Sequence, residues 1–577
     1  MLKIIFTSCF FLTVLTAQNN WQTEFEKSKY LSTCSYDETI NYFNQLAEKS
    51  EYAKMVPIGE SPQGRILYAI IINKDKSFEP ADITIRKKPV VLIQNGIHSG
   101  EIEGKDASML LLREILITKE KEYLIENLTL LVIPVFNVDG HERKSPYNRI
   151  NQNGPTEMGW RTTAQNLNLN RDYTKADAPE MKAFLRLYSN WLPDLYIDNH
   201  TTDGIDYQYT ITYGIETHQN VDSEISNWIS NEFIPTITKD VESDNYLIAP
   251  YVGIKDRDIN KGIIDWVSGP RFSHGYAAAQ NRVGLLIETH MLKPYKDRVF
   301  STKSMLESAL KIVNNDAEIL LNINRQADIS RIAKYHFNKE PFPIDFKTTE
   351  NNVDFNWKGI EYEMKESKAA GTSIPYYNGK HFSKIIPYYN DVVIEKSLIV
   401  PDFYVVPKEY KQLIEIMNLH GIEYEVLPEK NMTLVKTVFS NIRFPKNSYE
   451  GRFRPSFDIE TKTENVKVNK GDYLVTTNQR EISLIVELME PECDDSFIKW
   501  GMMNSIFERK EYFEMYLLDS LANKMLEENE SLRNQFNEKL KDEDFANNPY
   551  MRLYFFYEHT PYFDEKLNVY PIMKSVN

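Results

Sequence analysis

With 577 residues, 42% of them hydrophobic, the chain is longer than one core usually serves, and a globular protein of two or three domains is expected. A formal charge of −16 excludes sequence-independent binding to nucleic acid or anionic membranes, since both need a basic surface. Three cysteines are too few for a disulfide scaffold or a thiolate-rich structural zinc site, so any metal must be held mainly by His and carboxylate.

The chain opens with Met1-Leu2-Lys3, an apolar run from Ile4 to Leu15, and Thr16-Ala17 before the polar Gln18-Asn19-Asn20. This is the layout of an export signal, residues 1–17, cut after Ala17. The run is too short for a membrane span, and no later stretch reaches the ~18 to 20 apolar residues a span requires. A soluble mature protein, secreted or periplasmic, is expected. Cys34 and Cys493 survive cleavage and are not expected to pair.

Residues 21–54 mix polar and apolar residues at helical spacing, and Ser61-Pro62 marks a turn within Glu60–Gly64. A strand over Ile66–Ile72 follows, then the apolar run Pro89–Ile97, which reads as a strand buried on both faces, and a helix over Gly104–Thr118. The order repeats in outline: strand Leu128–Val138, a long loop to Tyr173, helix Pro179–Trp191, strand Leu195–Asn199 and, later, strand Val283–Thr289. Such alternation predicts an α/β fold with a mixed, largely parallel twisted sheet and helices on both faces.

After Ala327 the character changes. Val353–Met364 alternates like a strand, and Ile-Pro-Tyr-Tyr-Asn occurs at 374–378 and again at 386–390, which suggests two rungs of one β element. Leu398–Val406, Glu409–His420 and Ile422–Leu427 resemble a βαβ unit, and the chain from Glu481 onward is largely helical. The expected organisation is a catalytic unit at 21–327, a β-rich or α+β accessory domain at 328–480 and a helical C-terminal region at 481–577.

His98-Ser99-Gly100-Glu101 lies just past the carboxyl end of a predicted buried strand, where α/β sheets collect functional groups. His nitrogen and carboxylate oxygen suit Zn²⁺, and a catalytic zinc needs one more protein ligand and an open position. His200, at the end of the strand Leu195–Asn199, is the natural third ligand. A surface or capping role for the four-residue motif alone stays open. Glu288 follows three large apolar residues in a strand, where a carboxylate is costly to bury without a partner or a task. A place on the solvent face of an edge strand is the competing reading.

In this order the residues resemble the zinc metallocarboxypeptidase family, in particular secreted bacterial carboxypeptidase A-like peptidases with a C-terminal extension. The matching pieces are Gly96–Glu101, Pro134–Gly140, Leu169–Tyr173, Asp198–His200 and Leu286–Glu288, which together cover about residues 25–325. The resemblance implies one Zn²⁺ per chain on His98, Glu101 and His200, and Glu288 as general base and acid. It implies Asp139 as the acceptor that holds His98, and Asn170 with Arg171 as receptors of a substrate's free C-terminal carboxylate, which an arginine fork fits bidentately. Arg161 is the candidate oxyanion donor, with Arg271 as an alternative, because Ala164 stands where many members carry a second arginine. Tyr276 is the candidate substrate-capping tyrosine. The implied partner is a peptide with a free C-terminus. An amidase or deacylase of the same fold, and a catalytically silent peptide- or cell-wall-binding homologue, remain as alternatives. Oligomeric state is not encoded in any motif.

Overall fold

The computed structural model describes residues 21–81 and 85–576, so the expected signal at 1–17 lies outside the described residues. Eight strands form the main sheet: β1 (Ala53–Glu60), β2 (Ile66–Ile72), β3 (Val90–Asn95), β4 (Thr129–Ile133), β5 (Leu195–Thr202), β6 (Ile211–Ile215), β7 (Ile248–Pro250) and β8 (Val283–His290). Their order is β1-β2-β4-β3-β5-β8-β6-β7. The centre, β4-β3-β5-β8, is parallel, as is the edge pair β6-β7, while β1-β2, β2-β4 and β8-β6 pair antiparallel, which gives the mixed, largely parallel sheet.

Three of the central strands share a sequence logic that places the site. β3 runs Val-Val-Leu-Ile and then Gln-Asn; β5 runs Leu-Tyr-Ile and then Asp-Asn-His; β8 runs Val-Gly-Leu-Leu-Ile and then Glu-Thr-His. Every residue of the three is buried. Alternate side chains of the apolar halves face opposite layers, as a period of two requires. Ile93, Ile197 and Ile287 pack toward Met109 and Leu306 of the helices Glu103–Leu116 and Tyr295–Asn315. Leu92 and Tyr196 pack toward Phe184 of the helix Pro179–Trp191 and toward Leu413 and Leu484 of the C-terminal region. Burying each large apolar side chain contributes about 1.5–3 kcal/mol, so the apolar halves fix the strands and leave the polar halves together at one end.

Beyond residue 337 two long antiparallel hairpins dominate, Val353–Ser367 with Thr372–Tyr389 and Lys430–Arg443 with Ser456–Val468. Both copies of Ile-Pro-Tyr-Tyr begin on the single strand Thr372–Tyr389, so the repeat marks two stretches along one strand rather than two rungs. Phe403–Val406, the helix Lys411–Leu419 and Glu425–Val426 follow in βαβ order, but both strands pair antiparallel to Tyr473–Thr476, which lies between them. Helices then follow from Met515 to Tyr557. Cys34 and Cys493 are buried and free. Among the described residues no helix is long and apolar enough to cross a membrane.

Candidate active site

Parallel registry brings the polar strand ends together. Glu288 stands opposite His200 across the β8–β5 ladder, and Asn95 stands opposite Asn199 across β3–β5. The chain leaves β3 through Gly96 at φ 66°, a left-handed conformation that glycine adopts without steric cost. The turn that follows is closed by the Glu101 N–H donating to the His98 carbonyl at 2.8 Å.

His98, Glu101 and His200 are each only 2% exposed. His98 Nδ1 lies 3.2 Å from Glu101 Oε1, and His200 Nδ1 lies 3.0 Å from Glu101 Oε2. The ring centroids are 5.0 Å apart, and the three candidate ligand atoms lie within 4.8 Å of one another. Both imidazoles turn Nδ1 inward and are held from outside at Nε2, His98 by Asn168 Oδ1 at 2.9 Å and His200 by Asp198 Oδ2 at 2.7 Å. An outer acceptor of this kind fixes the tautomer that offers its inner lone pair to a metal.

Two buried atoms here have no hydrogen-bond partner, His98 Nδ1 and Glu288 Oε2. Such orphans are costly in a dry interior, and a cation among these groups would satisfy the imidazole nitrogen. The charge balance points the same way. Burial opposes ionisation of Glu101, yet Arg149 and His98 hold its carboxyl well below the usual range. Burial pushes Glu288 up to about 8, against the pull of His200 and with the negative charges of Glu101, Asp198 and Glu103 adding to it. Burial holds His98 down to about 4, which keeps it in the neutral form that ligates. Against burial, Asp198 and Glu101 hold the His200 imidazole well above its ordinary value, so a metal there would take the place of its inner proton. Two buried imidazoles and a carboxylate that converge in this way fit one Zn²⁺.

The surrounding cavity measures about 680 Å³, within the range of small-ligand sites. It is lined by the triad, Glu288, Arg149, Arg161, Asn170 and Arg171, with Trp266, Phe272 and Leu286 giving an apolar wall. Arg161 Nη1 donates to Glu101 Oε1 at 3.2 Å, and Arg149 Nη1 reaches the same oxygen at 2.7 Å. No motif singles out Arg149. It fits because position 100 is glycine: a Cβ there would meet Arg149 Cδ at 2.4 Å.

Residues 39–300 match the family model described as zinc carboxypeptidase. The chain carries a zinc carboxypeptidase domain. It is similar to carboxypeptidase 2 of Trichophyton rubrum, 23% identical over 490 residues that cover 81% of this chain and 84% of that protein. It is similar at the same identity to carboxypeptidase 2 of Trichophyton tonsurans, over 77% of this chain and 79% of that one. Among solved structures, a metallo-carboxypeptidase from Burkholderia cenocepacia aligns with 49% of this chain and 70% of its own, at 17% identity and a TM-score of 0.37. Carboxypeptidase A from Helicoverpa armigera aligns with 49% of this chain and 74% of its own, at 18% identity and a TM-score of 0.36.

Within the carboxypeptidase domain three sequence expectations need correction. Asp139 does not hold His98. Its carboxylate accepts from Ser61 Oγ at 2.8 Å, the Gln63 N–H at 3.1 Å and Arg65 Nη1 at 2.7 Å, and so ties the Glu60–Gly64 turn to the helix Val138–Glu142. Asn168, two residues before Asn170, takes that place. We expect Asn168→Ala to weaken zinc affinity about 10- to 100-fold in a competition titration against a chromophoric chelator. Asp139→Asn should leave that affinity nearly unchanged.

Tyr276 does not reach the pocket. It is fully buried on the helix Ser273–Ala279, packed tilted against Tyr173 and edge-on to Tyr188, with its hydroxyl 2.9 Å from His420 Nδ1. The tyrosine that lines the cavity is Tyr251, just past β7, where the nearby charge of Glu288 raises its phenol pKa. An isolated aromatic after a short strand gave no signal for it. Arg271 is likewise spent elsewhere, on Asp495 at 2.8 Å and on Asp494, beside a separate cavity.

Proposed function

We propose that the protein is a zinc-dependent carboxypeptidase acting outside the cytoplasm, which hydrolyses the last peptide bond of peptides carrying a free C-terminal carboxylate. The observation that carries this reading is the cavity that joins the His98–Glu101–His200 triad to Arg171. Among the described residues no carboxylate forms a salt bridge with Arg171, whereas Arg149 and Arg161 share Glu101 and Arg271 has Asp494 and Asp495. A half-buried guanidinium without an anion is a receptor for one.

In this reading Arg171 and Asn170 bind the terminal carboxylate. The Asn170 amide oxygen accepts from the Ser273 N–H at 3.3 Å, which leaves its NH₂ end for the ligand. Trp266, Phe272 and Leu286 provide room for the terminal side chain. Zinc, when bound, supplies a Lewis acid that polarises the scissile carbonyl and makes water acidic near neutral pH. Glu288 accepts the proton of the attacking water and passes it to the leaving amine; burial pushes its carboxyl up to about 8, and a bound cation beside it would draw that value back toward neutral pH, where it can do both. Arg161 donates to the carbonyl oxygen as charge develops there, a contribution of about 3 kcal/mol for a fixed donor. Tyr251 takes the capping position given above to Tyr276. The division at 327 and 480 and the export signal belong to the same proposal.

The test compares one peptide with a free C-terminus against its C-terminal amide. The free acid should be cleaved with kcat/KM at least about 100-fold higher, because the amide leaves Arg171 without an anion. Equal cleavage of the two would overturn the reading and favour an amidase of the same fold.

A further inference from the structure

The C-terminal region, to which no motif gave a role, touches the wall of the catalytic pocket at one turn, through Arg171, which lines it. Tyr449 and Arg452 form an isolated antiparallel bridge, closed by hydrogen bonds of 2.9 and 3.0 Å, with Glu450 at φ 51° and Gly451 at φ 76° between them. Two successive left-handed residues make this a tight two-residue reversal, whose geometry fixes the directions of the flanking side chains. Both flanks are tied down. Arg452 Nε donates to Asp177 Oδ2 at 2.9 Å, and its Nη2 pairs with Oδ1 at 2.5 Å. The Tyr449 ring stacks on Trp500, with centroids 6.0 Å apart and planes 13° apart. Trp500 is itself fully buried and donates to Thr174 Oγ1 at 3.0 Å.

What this rigid turn presents to the site is specific. Tyr449 Oη accepts from Arg171 Nε at 3.1 Å, across 278 residues of sequence. The same guanidinium lies over the Phe272 ring at 4.4 Å and donates from Nη1 to the Asn170 carbonyl at 2.6 Å. The left-handed conformation at Glu450 disfavours a side chain. Its carboxylate nevertheless accepts from the Asn168 N–H at 3.4 Å, and Asn168 is the residue that holds His98. The turn therefore touches both Arg171 and the residue behind the first imidazole.

The choice of a phenol at 449 matters chemically. A carboxylate there would orient Arg171 equally well but would neutralise it and compete with an incoming anion. A neutral hydroxyl holds Nε and leaves the charge and the remaining N–H groups for a ligand.

We propose that Tyr449 is a positioning residue of the carboxypeptidase: it orients the Arg171 guanidinium for the substrate's terminal carboxylate, so the C-terminal region is a working part of the substrate site. This rests on the reading of Arg171 as carboxylate receptor given above. The experiment uses the full chain and the variants Tyr449→Phe and Tyr449→Ala, with a peptide bearing a free C-terminus and with the free amino acid released from that C-terminus, whose carboxylate is the one assigned to Arg171, as competitive inhibitor. We expect Tyr449→Phe to raise KM and the product's inhibition constant about tenfold each, while kcat stays within about threefold and the thermal midpoint is unchanged. Tyr449→Ala should exceed that effect, because stacking on Trp500 is lost as well. A merely structural role would lower the thermal midpoint without raising the inhibition constant of the product, and that outcome would overturn the proposal. So would KM and inhibition constants within twofold of wild type in both variants. If the wild-type enzyme discriminates free acid from amide while Tyr449→Phe changes nothing, only this inference falls. If it does not discriminate, the receptor role of Arg171 falls and this inference with it.

Discussion

Glu288→Gln is expected to bind zinc at one ion per chain and to lose turnover by a factor of about 10² to 10⁴, the range for removing a single general acid and base. The substitution is nearly isosteric, and position 288 lies in a strand whose residues are all buried, so the backbone registry that sets Glu288 opposite His200 should persist. The amide cannot take a proton from water. It also removes a carboxylate that burial, Glu101, Asp198 and Glu103 already hold in an uncomfortable state. The variant should therefore be no less stable than the parent, and its melting temperature measured beside its zinc content and its kcat would separate chemistry from folding. Near-normal hydrolysis by Glu288→Gln would remove the residue from the mechanism.

Arg171→Ala should lower kcat/KM for a free-acid peptide by about 100-fold, with the loss mostly in KM, because one side of a charge-assisted pair with the substrate disappears. The preference for free acid over amide should shrink with it. Zinc affinity should not move, since Arg171 makes its contacts with Tyr449, Phe272 and Asn170 and not with the triad. A steady-state comparison on the two peptides, with a zinc titration of the same preparation, checks all three expectations. An unchanged acid-to-amide ratio would mean that the carboxylate is recognised elsewhere.

The part of this site that was legible in the sequence is the part that the sheet builds. His98, His200 and Glu288 follow apolar runs that bury on both faces, and parallel registry then obliges their polar ends to meet. Glu101 came with the turn. What escaped is what loops supply. Asn168 reaches His98 across seventy residues of sequence, and nothing in its neighbours distinguishes it from a turn-forming asparagine. Asp139 precedes a glycine in a match that looked sufficient, but its side chain faces the Glu60–Gly64 turn. Tyr276 failed because a short helix leaves little pattern to tell its inner face from its outer one, and that tyrosine belongs to an aromatic core shared with Tyr173 and Tyr188. Arg149 depends on the missing Cβ at Gly100, and Tyr449 depends on how the C-terminal region packs against the face that also carries the helix Pro179–Trp191. Contacts of that range have no local signature.

The most direct measurement is mass spectrometry of a defined peptide mixture after incubation with the purified chain, run as isolated, after chelation, and after readdition of zinc, with His200→Ala alongside. Loss of single residues from the C-terminus that stops on chelation, returns with zinc and is absent in His200→Ala is the predicted result. Internal cuts, trimming from the N-terminus, or C-terminal trimming that survives both chelation and the loss of His200 would contradict the account.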